Sequence, residues 1–213
     1  MREEDRGQSR AGGDDSHEVA APRRRPEREA DGDDTGPLRV AVIIGSTREG
    51  RVGEKVGEWF LRLAGDRDDV EPRAVDLVDF DFPARYPDHT TAHIRDFVQE
   101  VDRADAFVVV TPEYNRSFPA SLKQAIDYAY DEWHTKPVAF VSYGHGSRGL
   151  YAVEHLRSVF TELHTVTMRN GVAVNLLDDV LDERAGAASL MLDQLHWWGT
   201  ALRDARARRP YAS

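Results

Sequence analysis

From Leu38 onward the apolar positions of this chain alternate between two periods. Residues 38–44 and 106–110 are nearly unbroken apolar, β-branched runs, the pattern of strands buried on both faces. Residues 70–78 and 137–142 read as further strands. A fifth is expected at 165–168, with 172–174 as its possible continuation. Between them the period changes to that of helices. Residues 52–64 place Val56, Trp59, Phe60 and Leu63 on one face. Residues 92–101 do so with Ile94, Phe97, Val98 and Val101, and residues 120–130 with Leu122, Ala125, Ile126 and Ala129. Val153, Leu156, Val159 and Phe160 line a helix at 148–163. Leu190, Met191, Leu195, Trp198 and Leu202 line one at 187–205, where Trp197 and Trp198 read as packing residues.

Strands that alternate with helices predict an α/β fold: a five-stranded parallel sheet in three layers, with helices on both faces. In the order 2-1-3-4-5 the topological switch point lies between the first and third strands. Open sheets of this kind bind ligands at the carboxyl ends of those strands. Two unusual loops sit there, Gly45-Ser46-Thr47-Arg48-Glu49-Gly50-Arg51 and Thr111-Pro112-Glu113-Tyr114-Asn115-Arg116-Ser117-Phe118-Pro119.

The first loop has glycines for close backbone approach, hydroxyls, and two arginines just before a helix. That suits one phosphate at a helix N-terminus. It is not a Walker A loop, since no Gly-Lys-Ser/Thr follows, and the dinucleotide pattern Gly-x-Gly-x-x-Gly is missing. The competing reading is an ordinary strand–helix turn with capping hydroxyls and solvated arginines. The second loop is fixed by prolines and an asparagine. Together the loops suggest a site for a planar ring carrying a phosphate.

Composition narrows the chemistry. The 213 residues contain no cysteine, which excludes disulfides, thiolate metal sites and cysteine nucleophiles. A formal net charge of −10 disfavours nucleic-acid binding. No apolar run is long enough to span a membrane, and no secretory h-region is seen, so a cytoplasmic protein is expected. His89 and His93 have helical spacing without a third ligand, so no metal site is expected. Residues 1–36 carry no Leu, Ile, Phe, Trp or Tyr and read as a disordered tail ahead of a single domain, 37–213.

The motifs resemble the NAD(P)H-dependent FMN reductase family, which has a flavodoxin-like fold. The carrying residues are Gly45-Ser46-Thr47-Arg48, Pro112-Glu113-Tyr114-Asn115-x-Ser117-x-Pro119, Leu122-Lys123-x-Ala125-Ile126-Asp127, and Lys136-Pro137-Val138 leading to Val141-Ser142-Tyr143-Gly144. The resemblance implies FMN as cofactor. Ser46 and Arg48 would hold its phosphate, with Thr47, Arg51 and Gly53 in the same turn. Pro112, Glu113, Tyr114 and Asn115 would line the isoalloxazine ring, with Ser117 in the same motif. Ser142, Tyr143 and Gly144 would meet the pyrimidine end of the ring. NADPH or NADH would be co-substrate, hydride passing through flavin N5 in a ping-pong cycle to a flavin, quinone or similar small molecule. The family also implies a homodimer or homotetramer, and a flavin-dependent monooxygenase as one possible recipient of reduced flavin.

Arg116, His145 and Arg148 are candidate substrate contacts. If both loops face the flavin, three potential cations around its open face could grip a nicotinamide nucleotide's phosphate or a metabolite's carboxylate. For His145 the alternative is a plain loop residue. If a carboxylate is bound, a second function is open: an FMN-dependent dehydrogenase of a small anionic metabolite, such as a chorismate-type cyclohexadiene carboxylate. A third, an electron carrier like flavodoxin, is disfavoured by the arginines of the first loop.

Overall fold

The computed structural model describes residues 36–212. The expected tail, 1–36, lies outside the described residues except for Gly36. Six parallel strands form one sheet: β1 (Leu38–Ile44), β2 (Val70–Asp76), β3 (Ala106–Pro112), β4 (Pro137–Gly144), β5 (Val166–Thr167) and β6 (Val172–Asn175). Their order is β2-β1-β3-β4-β5, with β6 also paired to β4. This is the flavodoxin-like order expected from the sequence, extended by a sixth strand.

Side-chain alternation along the central strands builds two cores. Val40, Val42, Val108, Val110 and Val141 face α1 (Gly53–Gly65) and α5 (Ala185–Arg208), meeting Val56, Phe60, Met191 and Leu195. Ile43, Phe107, Val109 and Phe140 face α2 (Ala92–Arg103), α3 (Ala120–Asp127) and α4 (Leu150–Glu162), meeting Phe97, Ile126, Leu156 and Phe160. All seven residues of β3 are buried, which is why its sequence shows no alternation. Strand β2 lies at the edge and is half exposed, so its pattern is the weakest.

Three expectations need correction. The fifth strand is split. Between two pairings β4 advances three residues, from Val138 to Val141, while the opposing chain advances five, from Thr167 to Val172. Arg157 on α4 donates to the carbonyls of Met168 and Arg169 in the bulge, at 2.7 and 3.2 Å. A helical side chain thus satisfies backbone groups that the ladder cannot. The helix expected over 120–130 ends at Asp127, and Trp133 from a following 3-10 turn is fully buried in the second core. On α5, Met191 and Leu195 are buried as expected, but Leu190, Trp197 and Trp198 lie on the outer face, the two tryptophans 63% and 40% exposed.

Candidate active site

The strand ends at the switch point are joined by short-range chemistry. Beyond β3, Tyr114 and Ser117 exchange two backbone hydrogen bonds, N–H to carbonyl, of 2.8 and 3.0 Å. That closes a two-residue hairpin whose tip residues, Asn115 and Arg116, have φ of 49° and 65°. The type I′ turn, one of the two commonest for a two-residue hairpin, has positive φ at both tip positions. Asparagine accepts it readily; arginine does so less often.

Beyond β1, the Gly45 N–H still pairs with the Val110 carbonyl at 2.9 Å, so the loop proper starts at Ser46. Ser46 is fully buried, and its Oγ shares a 2.8 Å hydrogen bond with the Tyr114 hydroxyl. The Arg48 guanidinium lies 4.4 Å from the centroid of the same Tyr114 ring. One tyrosine therefore ties the two loops into a single wall. Arg51 is spent on the loop itself: it donates to the Ser46 carbonyl at 2.8 Å and to both oxygens of Asp76 on β2. Its bonding to Asp76 keeps the guanidinium charged. Thr47 is exposed at the loop's rim. No side chain caps the N-terminus of α1.

The third loop follows β4. Ser142 Oγ donates to the Arg148 carbonyl at 2.8 Å, and Gly149, with φ of 82°, sits against Ser142 and Tyr143. A Cβ at Gly149 would lie 2.7 Å from the Ser142 Cβ and 2.9 Å from the Tyr143 nitrogen. Glu113 stitches this loop to the hairpin. Its N–H donates to the Tyr143 carbonyl at 3.2 Å, and its carboxylate accepts the Tyr151 N–H at 3.2 Å. The carboxylate thus satisfies a first-turn N–H of α4, whose own cap, Gly149, has no side chain.

Two cavities open on this wall and share Arg48, Glu113 and Tyr114. The larger, about 610 Å³, runs from Arg48, Gly50 and Val52 past Pro112 to Tyr143, Gly144 and His145. The smaller, about 510 Å³, adds Asn115, Phe118, Pro119 and Ala120. Both volumes are typical of small-molecule sites.

The three candidate cations do not converge. Arg116 packs 3.8 Å over the exposed Tyr151 ring, and Arg148 lies 4.0 Å from Asp179. Of the three, His145 lines the larger of these two cavities, and neither arginine lines either of them. Ser117 turns its hydroxyl to His155 at 3.0 Å. Gly53 packs against Tyr143 rather than lying open. The sequence reading missed Leu176, which lines the larger cavity from the end of β6. No local signal marks it, because the strand that places it was not separately expected.

Comparison with known proteins resolves the class. Residues 38–177 match the family of NADPH-dependent FMN reductases. The chain belongs to that family. A quinone reductase of Pseudomonas putida is 35% identical over 154 residues, covering 66% of this chain and 81% of the relative. An NADPH:quinone oxidoreductase of Arabidopsis thaliana is 30% identical over 175 residues, covering 74% and 82%. An NAD(P)H-dependent FMN reductase of Schizosaccharomyces pombe is 34% identical over 120 residues; the match spans 51% of this chain and only 59% of that relative. Among solved structures, FerB, a flavoenzyme NAD(P)H:(acceptor) oxidoreductase from Paracoccus denitrificans, superposes with a TM-score of 0.66. It covers 77% of this chain and 98% of its own at 24% identity, a likeness of fold. As a family member the chain is an FMN-dependent oxidoreductase. No helix among the described residues is long and apolar enough to cross a membrane. No group of three or more metal-binding side chains occurs among them.

Proposed function

We propose that this enzyme is an NAD(P)H-dependent reductase that passes electrons through bound FMN to a quinone or a second flavin. The observation that carries the reading is the shared wall. Arg48, Glu113 and Tyr114 line both cavities, so one ligand can lie against the phosphate loop while a second approaches the same wall. The donor set fits FMN. The open N-terminus of α1 and the Arg48 guanidinium supply positive charge at one end; Pro112, Tyr114 and Gly144 supply a flat lining at the other.

In this assignment Ser46, Thr47 and Arg48 hold the phosphate, and Arg51 keeps their loop in place by its bonds to Ser46 and Asp76. Pro112, Glu113, Tyr114 and Asn115 line the ring, and Ser142 and Gly144 flank its edge. FMN, when bound, supplies a ring that accepts hydride and gives up two electrons. The chain's task is to hold ring and donor face to face and keep water from between them. His145 and Leu176 stand where a second substrate would enter. The two arginines that would make an anion clamp are engaged with Tyr151 and Asp179, which removes the motive for a dehydrogenase of anionic metabolites.

Anaerobic stopped-flow absorbance of the FMN-loaded protein tests the reading. Rapid bleaching with NADH or NADPH, followed by reoxidation on adding a benzoquinone, is the expected result. No bleaching with either nucleotide would overturn it. Release of the reduced flavin instead of quinone reduction would point to a flavin-dependent monooxygenase as recipient. A cytoplasmic homodimer or homotetramer belongs to the same proposal; a monomer in sedimentation equilibrium would remove that part.

A further inference from the structure

Helix α5 carries an outer face that the sheet does not cover. Leu190, Asp193, Trp197, Ala201, Asp204 and Arg208 are all exposed and recur at steps of three or four residues, so they form one stripe along the helix. Trp197 is 63% exposed, and Trp198 flanks it edge-on, with ring centroids 5.1 Å apart. Two large rings held together in water, with charges on both sides, mark a contact surface rather than a stray apolar residue.

The stripe is its own complement when reversed. A second α5 laid antiparallel, about a two-fold axis between Thr200 and Ala201, sets Asp193 opposite Arg208 and Trp197 opposite Asp204, each twice. Acid then meets base, and an indole N–H meets a carboxylate. A parallel copy would instead set Asp193 against Asp193. The small side chains at the axis let two helices approach to the roughly 8–10 Å of a packed pair. The Thr200 hydroxyl already donates to the carbonyls of His196 and Trp197, at 2.9 and 3.1 Å, so it enters the contact satisfied. Asp193 is oriented by Arg67 at 2.5 Å yet keeps 59% of its side chain exposed. Arg208 makes no ion pair among the described residues. Resting on the homo-oligomer proposed above, and naming its surface, we propose that the outer face of α5 docks a second copy of this chain, antiparallel about Ala201. One helix pair buries less than a standard interface, so the association is reversible and depends on concentration.

The chain has no cysteine, so single cysteines introduced into the full-length protein report the geometry without background. Ala201→Cys lies beside the axis, within disulfide reach of its copy, and mild oxidation should give a covalent dimer. Ala187→Cys should not, because its two copies lie roughly 40 Å apart along antiparallel helices. Sedimentation equilibrium on cysteine-free variants adds the energetics. Trp197→Asp should weaken the association at least about a hundredfold, and Arg208→Glu about tenfold. Both side chains are exposed in the single chain, so its melting temperature at dilute concentration should hold. Cross-linking at residue 187 instead of 201, or equal association by Trp197→Asp and wild type, would overturn the inference. A wild type that stays monomeric would overturn the oligomer reading along with it. An oligomer in which Ala201→Cys does not cross-link overturns this inference alone.

Discussion

At the scale of single residues, Tyr114 and Arg48 carry the most. Tyr114 shares a hydrogen bond with the Ser46 hydroxyl through its own hydroxyl and carries the Arg48 guanidinium on its ring, so it couples two loops that are far apart in sequence. Arg48→Ala removes a charge from the cavity wall and the stacking partner of that ring. A charge-assisted contact is worth about 1.5–3 kcal/mol, so FMN affinity should fall roughly tenfold to a hundredfold. Titration against flavin fluorescence measures it, and an unchanged affinity would remove Arg48 from the phosphate site. Both arginines were legible as a pair in the sequence. Their different employment was not, because Asp76, the partner that claims Arg51, lies on another strand.

At the scale of elements, the site depends on how closely α4 starts against the end of β4. Gly149 permits that approach and holds a positive φ of 82°. Gly149→Ala meets a left-handed backbone penalty and a clash with Ser142 and Tyr143. These sum to roughly 2–5 kcal/mol of lost stability. Urea unfolding should show it as a lower midpoint with an unchanged slope, accompanied by reduced FMN content. A midpoint equal to wild type would mean that the loop relaxes freely. The helix itself was readable from its apolar stripe; its start was not. The sequence places that start at Arg148, whereas Gly149 and the Glu113 carboxylate set it at Leu150. The second signal comes from a loop on another strand.

At the scale of the whole molecule, site and stability occupy opposite ends of the sheet. Just before β3, Asp105 is buried and bonds Arg39 at the start of β1 through two side-chain contacts of 2.8 and 3.0 Å. Arg203 and Arg206 reach the same carboxylate from α5. Burial alone would raise the Asp105 pKa, but hydrogen bonding and attraction from Arg39, with Arg206 adding to them, lower it overall. A lowered carboxylate pKa stabilises the fold above its unfolded value of about 3.9, and that stability is lost as pH falls further. Thermal melts should therefore weaken below about pH 4. Asp105→Asn should cost about 3 kcal/mol at neutral pH and show a flatter acid dependence. An identical acid profile in both proteins would contradict this. The family match begins at residue 38, the first residue of β1. Removing residues 1–35 is accordingly expected to leave flavin content and melting temperature unchanged; a large drop in either would assign those residues to the fold.

By itself the sequence determined the strand–helix alternation, the sheet order and the two loops at the switch point. Each of those follows from local periodicity, turn residues and the handedness of crossovers, which short stretches of chain encode. Tertiary structure decided the rest. The fifth strand is broken because α4 supplies Arg157 to the bulge. Leu190, Trp197 and Trp198 face outward because α5 is apolar on more than one side, so its pattern does not choose a buried face. The candidate contacts Arg116, His145 and Arg148 separate because Tyr151 and Asp179 hold the two arginines. The Tyr143 hydroxyl meets α1 only because parallel strands set β4 beside β3 and leave Gly53 at the point of contact. Those outcomes depend on which residues from distant segments arrive together, and periodicity along one segment does not carry that information.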